Sequence, residues 1–132
     1  MLKTNESSDV QWTISSLDHK QGIHSARLVG SLDEHGVSQL RELSHVVFDE
    51  ESFSNGDNFL IDLNEVTEID HVGFAALVEI LVGLSSKAGS LALIVPPEHP
   101  VRHALQVTGL ERAFDIYETQ TAAHERVDEQ SL

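Results

Sequence analysis

The sequence predicts an α/β domain on a mixed sheet of four to five strands, in the order β-β-α-β-α-β-α-β-α. Three observations carry this. The stretch 58–95 holds an apolar run (Phe59-Leu60-Ile61), a polar loop ending at Asp70, a nearly uncharged helical segment, Gly89, and a second apolar run from Leu91 to Val95. That is strand, helix, strand. Upstream, Val10 to Ile14 alternates apolar and polar residues, and Ile23 to Val29 follows after a short polar link, which reads as an antiparallel hairpin. Beyond the hairpin, strands alternate with helices, and such crossovers make parallel pairs.

The 132 residues fit one domain. Residues 1–9 are polar and predicted to be a flexible N-terminus, 10–127 the domain, and 128–132 a polar tail. In the first helix, the Ser31-Leu32-Asp33 stretch offers a cap, and Val37, Leu40, Leu43 or Ser44, and Val47 fall at helical spacing to about Asp49. Residues 50–57 form a loop with Asn55-Gly56 as its turn signal. Phe59 to Leu63 is apolar enough to be a central strand. In the main helix, Phe74, Leu77, Val78, Leu81, Leu84 and Ser85 share one face, Asp70 is the N-cap, and Gly89 is the stop. Ser90 to Val95 is uniformly apolar, the pattern of a strand covered on both faces. Pro96, Pro97 and Pro100 lead into a short helix with Val101, Ala104 and Leu105 as its apolar stripe, ended by Thr108-Gly109-Leu110. Phe114 to Tyr117 is a last strand, and Thr121 to about Val127 a terminal helix.

Charge limits the function classes. Asp and Glu total 22 against 8 Lys and Arg, a formal −14. Binding nucleic acid requires cations to neutralise phosphates, and anionic membranes repel this balance for the same reason. Attraction to a basic protein surface has the right sign; the charge also serves solubility with no partner at all. Cysteine is absent, which excludes disulfides and thiol catalysis. The start, MLKTNESSDV, has no apolar signal region, and Val72 to Leu84 is too short to span a bilayer. A cytoplasmic protein without direct membrane insertion is expected.

No glycine-rich phosphate loop is present. His99 and His103 are spaced i, i+4, as two metal ligands on a helix face would be, but Pro100 puts His99 outside regular helix and no carboxylate completes a set. Asp62, Glu65, Glu68 and Asp70 form a carboxylate cluster near a strand end, where α/β sheets place ligands; acid–base or metal-assisted hydrolysis is the enzyme-class alternative it raises. On the main helix, Val72, Ala76, Glu79, Gly83 and Lys87 lie opposite the assigned core stripe. That face is small and weakly polar, so either a partner or another helix of the same domain covers it.

These pieces together resemble the STAS family, the domain of anti-sigma factor antagonists and of sulfate-transporter tails. Gly30-Ser-Leu-Asp33 matches the family's Gly-x-Leu-Asp after the second strand. Phe59-Leu-Ile-Asp-Leu63 with Val66-Thr-Glu-Ile-Asp70 matches its central strand and loop. Asp70-His-Val-Gly73 matches its Asp-Ser-Ser-Gly loop in outline, and Val101 to Phe114 matches the region before the last strand. The resemblance runs from about Gln11 to Val127. It implies helices mostly on one side of the sheet, no cofactor, no metal, and a binding role in place of catalysis. The implied partner is a kinase-type anti-sigma factor, met by Leu32, Asp33, Asp70, His71, Val72, Gly73, Phe74 and Ala76. In such members the kinase phosphorylates a Ser or Thr directly after the loop Asp. That position is His71 here, followed by Val72, and neither carries a hydroxyl. Thr67, three residues before Asp70, is read as structural. An accessory subunit of an ABC-type lipid transporter, or of a larger signalling assembly, is the alternative binding role. Oligomeric state is left open.

Overall fold

Residues 2–4, 10–18, 23–34, 36–38, 40–42, 45, 56–119 and 121–123 are described in the computed structural model. Six strands form one sheet in chain order: β1 (Leu2–Thr4), β2 (Val10–Asp18), β3 (Ile23–Leu32), β4 (Asn58–Ile69), β5 (Ser90–Ile94) and β6 (Asp115–Tyr117). The two pairings among β1, β2 and β3 are antiparallel, and those from β3 through β6 are parallel. The predicted mixed sheet is therefore present, with one more strand than expected. The addition is β1, whose Leu2 to Thr4 pair with Ser15 to Thr13, in a segment predicted to be flexible. Residues 5–9, 19–22, 46–55 and 124–132 lie outside the described residues, and with them the polar tail, most of the loop before β4 and most of the terminal helix.

The first helix, α1, comprises residues 37, 38, 40–42 and 45 among those described. Asp33 starts it: its Oδ1 accepts from the Gly36 N–H at 3.1 Å, and its carbonyl accepts from the Val37 N–H at 2.9 Å. Ser31 and Leu32, read as part of the cap, instead finish β3. The main helix is α2 (His71–Ser86) and the short one α3 (Pro100–Thr108). A short 3-10 turn, Leu110–Arg112, leads to β6.

Strand alternation divides the apolar residues between two layers. Phe59, Ile61 and Leu63 of β4, with Leu91, Leu93 and Val95 at β5, join one core with Val37 and Leu40 of α1, Leu77, Ile80 and Leu84 of α2, and Val101 and Leu105 of α3. Leu60, Ala92 and Ile94 point the other way and pack with Ala123 from the helical residues 121–123. Three helices thus cover one face, and Ala123 packs on part of the other. This accounts for the uniformly apolar β5: every residue from Leu91 to Ile94 is buried.

Two boundaries differ from the sequence reading. β4 runs to Ile69, so the expected loop at 66–70 is strand up to its last residue. Val66, Glu68 and Ile69 stand opposite Gly30, Ser31 and Leu32 in β3, after register shifts beside Arg27 and Gly30. Gly30 has φ 120°, and such bulges let a strand turn sharply while its pairing resumes. The polar residues that disguised this strand are on its exposed surface, where Arg27 pairs with Glu65.

The stop of α2 is also displaced. The residue in the left-handed region is Ala88 (φ 59°), not Gly89. The Ala88 N–H donates to Ser85 O at 3.1 Å and the Gly89 N–H to Leu84 O at 2.8 Å, the paired bonds of a Schellman ending. Gly89 is required for another reason, since a Cβ there would stand 2.6 Å from Asp57 O. Ala88→Gly should therefore raise the unfolding free energy by about 1 kcal/mol, the order of the left-handed penalty for a residue with a Cβ. Gly89→Ala should lower stability. Urea midpoints at unchanged m-value test both.

Candidate partner-binding site

The site forms where β3 and β4 end together. Leu32 and Ile69 are register partners, and the next residue of β4's chain, Asp70, donates its N–H to Leu32 O at 3.1 Å. Asp70 has extended backbone and caps α2, its Oδ1 accepting from the N–H groups of Val72 (3.0 Å) and Gly73 (3.1 Å). This satisfies two of the free donors of the helix start. A depression beside it is lined by Asp33, Glu34, Glu68, Ile69 and Asp70. Ser31 Oγ donates toward Glu68 Oε1 (3.0 Å) and Asp33 Oδ2 (3.2 Å), linking the end of β3 to both neighbouring segments.

Of the residues expected to meet a partner, four are interior. Leu32 is fully buried, Ala76 and Phe74 are buried, and Gly73 lies against β3. A Cβ on Gly73 would stand 2.4 Å from Leu32 O, so this glycine marks the closest approach of helix and sheet. Asp33, Asp70 and Val72 are half-buried, and His71 is exposed. The available surface thus narrows to Asp33, Asp70, His71 and part of Val72, with Leu32, Gly73, Phe74 and Ala76 as support.

The face of α2 assigned as outward is corrected as well. The buried residues are Gly73, Phe74, Ala76, Leu77, Ile80 and Leu84, and the exposed ones include His71, Ala75, Glu79, Val82, Ser85 and Ser86. The expected face turns toward the sheet at Ala76, while Val82, 61% exposed, stands outside. Apolar residues nearly encircle this helix, so periodicity alone fixes its rotation poorly. The decisive signal is steric: small residues at 73 and 76 allow the backbone to approach a strand end, which is a packing need rather than an invitation to a partner. Sequence reasoning did not single out Glu34, which lines the depression, or the exposure of Ala75 and Val82 on α2.

The carboxylates divide. Glu68 and Asp70 join Asp33 and Glu34 at the depression, whereas Asp62 accepts from the Asn64 N–H (2.9 Å) and Glu65 pairs with Arg27. Among the described residues no group of three or more His, Asp or Glu is placed to hold a metal. His99 has both ring nitrogens engaged: Nδ1 accepts from the Val101 N–H at 3.1 Å, and Nε2–H donates to Asn64 O at 2.8 Å. It is the N-cap of α3 and half-buried, while His103 is exposed.

The order of strands and helices, with a capped helix start where the parallel strands β3 and β4 end, is the arrangement of a STAS domain. Residues 15–123 match the STAS domain family, and the chain belongs to it. It is 36% identical over 81 residues to a Thermotoga maritima protein named provisionally as an anti-sigma factor antagonist, an alignment covering 61% of this chain and 71% of that one. An anti-sigma factor antagonist from Mycobacterium paratuberculosis has a similar crystal structure, with TM-score 0.71, 20% identity, and coverage of 91% of this chain and 95% of that one. The anti-sigma factor antagonist SpoIIAA, in its unphosphorylated form, is similar with TM-score 0.60 and 18% identity over 97% and 98% of the two chains; a structure of its phosphorylated form is similar too. Among the described residues no helix is long and apolar enough to cross a membrane.

The support role of residue 73 has a direct check. Gly73→Ala should destabilise the domain by about 1–3 kcal/mol, because the obstructing atom is backbone and the helix must shift. His71→Ala, at an exposed position, should change stability by less than about 0.5 kcal/mol. Thermal or urea unfolding of the two variants separates scaffold from surface.

Proposed function

We propose that this domain is a non-enzymatic regulator of the anti-sigma factor antagonist type, acting in the cytoplasm by docking on a kinase-type anti-sigma factor. The observation that carries the reading is the outer face of α2. His71, Ala75 and Val82 are exposed along it on one side of the helix, with a rim of four carboxylates at its N-terminal end, on a chain of formal charge −14. A protein partner with an apolar centre and basic rim complements such a surface, with the apolar contact giving affinity and the charges steering encounter. The relatives named as anti-sigma factor antagonists support the class of partner.

Phosphorylation at the usual loop position is absent from this reading. SpoIIAA exists in unphosphorylated and phosphorylated forms. Here residue 71 is a histidine and residue 72 a valine, so no hydroxyl follows Asp70. A Ser/Thr kinase bound at this surface finds no acceptor in the first turn of α2.

The experiment is affinity capture with the full chain, followed by identification of the bound protein. A kinase-type anti-sigma factor is expected, and a transporter ATPase would favour the accessory-subunit role. Val82→Glu should weaken capture by about tenfold or more with the fold intact, since it buries a charge in the contact. Incubating the captured complex with ATP should leave residues 67–74 unmodified by mass spectrometry. Undiminished binding of Val82→Glu would remove α2's outer face from the interface.

A further inference from the structure

Charge is spread unevenly over this chain. Asp and Glu make up 22 of its 132 residues. Among the exposed residues of α2 and α3, however, Glu79 is the single carboxylate. It lies beside Arg41 of α1, with Arg41 Nε 3.9 Å from its Oε2. The same two helices carry the exposed large apolar side chains found among the described residues, Val82 and Val107, the latter 72% exposed. We infer that this helix pair is the contact surface for a second copy of the chain, in a weak dimer with two-fold symmetry.

Topology places the two helices together. α2 joins β4 to β5 and α3 joins β5 to β6, each a crossover between parallel strands, and both pack on the same side of the sheet. Such crossovers share one hand, so the helices run side by side in the same direction. Glu79 marks the flank of α2 toward α1. At 100° per residue, the half-buried Val78 and Leu81 fall on the other flank, and Val82 stands outside them. On α3, the half-buried Ala104 and the exposed Val107 share a strip at i, i+3. The neighbours of these apolar side chains on the helix surfaces, Ser85, Ser86, His103 and Gln106, are exposed and carry no carboxylate.

Charge selects the occupant. Two chains of formal charge −14 repel through any acidic face, and the helix pair is acid-poor, so it meets its own copy without opposing like charges. An isologous contact then buries Val82 and Val107 of both copies. Charge also sets the crossing. The four carboxylates of the depression lie at the start of α2, and Val82 lies about 16 Å further along that helix. With the two-fold axis at Val82 and the two α2 helices antiparallel, the acidic rims stand about 33 Å apart, well beyond the screening length of about 10 Å at 0.1 M salt. A parallel arrangement brings the rims face to face. Helices of 16 and 9 residues, each about 10 Å wide, give a footprint of roughly 400 Å² per copy. That is about half the standard size for a specific complex, so association is weak and reversible. Val82 is also the residue proposed to meet the regulatory partner, so copy and partner exclude each other. This consequence rests on the docking role; the dimer itself does not.

Sedimentation of the full chain alone tests the dimer. Between about 1 and 500 µM the chain should pass from monomer toward dimer. Raising salt from about 50 to 500 mM should strengthen the association, because screening removes repulsion between the copies. Docking on a basic partner has the opposite salt dependence. Val107→Glu should lower the association constant by at least about tenfold with the unfolding midpoint unchanged, and Val82→Glu should do the same. Thr67→Glu, which adds an equal charge on β4, should leave association unaltered. A chain that stays monomeric throughout, or that associates less as salt rises, overturns the dimer. Undiminished association of both valine variants, or an equal loss in Thr67→Glu, overturns the assignment to the helix pair. The docking role is judged separately, by which protein the chain captures.

Discussion

One carbonyl, that of Leu32, fixes the geometry on which the rest depends. It accepts the Asp70 N–H and also occupies the space where a side chain at 73 would begin. The first contact ends β4 in register with β3. The second sets the height of α2 above the sheet. With those two fixed, Asp70 has one position from which its carboxylate reaches the N–H groups of Val72 and Gly73. The rotation of α2 follows, because Gly73, Ala76 and Ile80 must all lie inward. Packing at the far end agrees: Leu84 is fully buried, and its carbonyl receives the Gly89 N–H.

Much of this was legible in the residues. Apolar runs located β4 and β5, Asp70 was readable as a cap, and the proline cluster with Gly109 bounded α3. What escaped has physical causes. β4 continues through Glu65, Thr67 and Glu68 because one surface of its extension faces water, and polarity there resembles loop composition. The phase of α2 was misread because Val72, Val78, Leu81 and Val82 spread apolar character around the helix. The left-handed ending at Ala88 defies the preference for glycine, which Asp57 O claims one residue later. His99 as a cap was hidden because imidazole rarely fills that role; its neutral form here accepts at Nδ1 and donates at Nε2.

The candidate site was legible as a place in the fold, where β3, β4 and α2 meet, more than as a surface. Short motifs pointed to the junction of β3, β4 and α2, and the junction is there. Yet Leu32, Gly73, Phe74 and Ala76 are interior, so the recognisable letters of the motif largely encode how the junction is built. Residues that a partner would touch, such as Ala75 and Val82, carry no such pattern, because an exposed contact is constrained by the other protein and not by this chain's own packing.

That separation bears on the missing hydroxyl after Asp70. The cap uses the carboxylate of residue 70 and the backbone of residues 72 and 73, and the side chain of 71 takes no part in it. Residue 71 is exposed, so exchanging a hydroxyl for an imidazole leaves the helix start unchanged. The reverse holds for Gly73, where one carbon would displace a helix. The side chain at position 71 can therefore change without cost to the fold. The scaffold fixes the junction of β3, β4 and α2 and leaves position 71 free to vary.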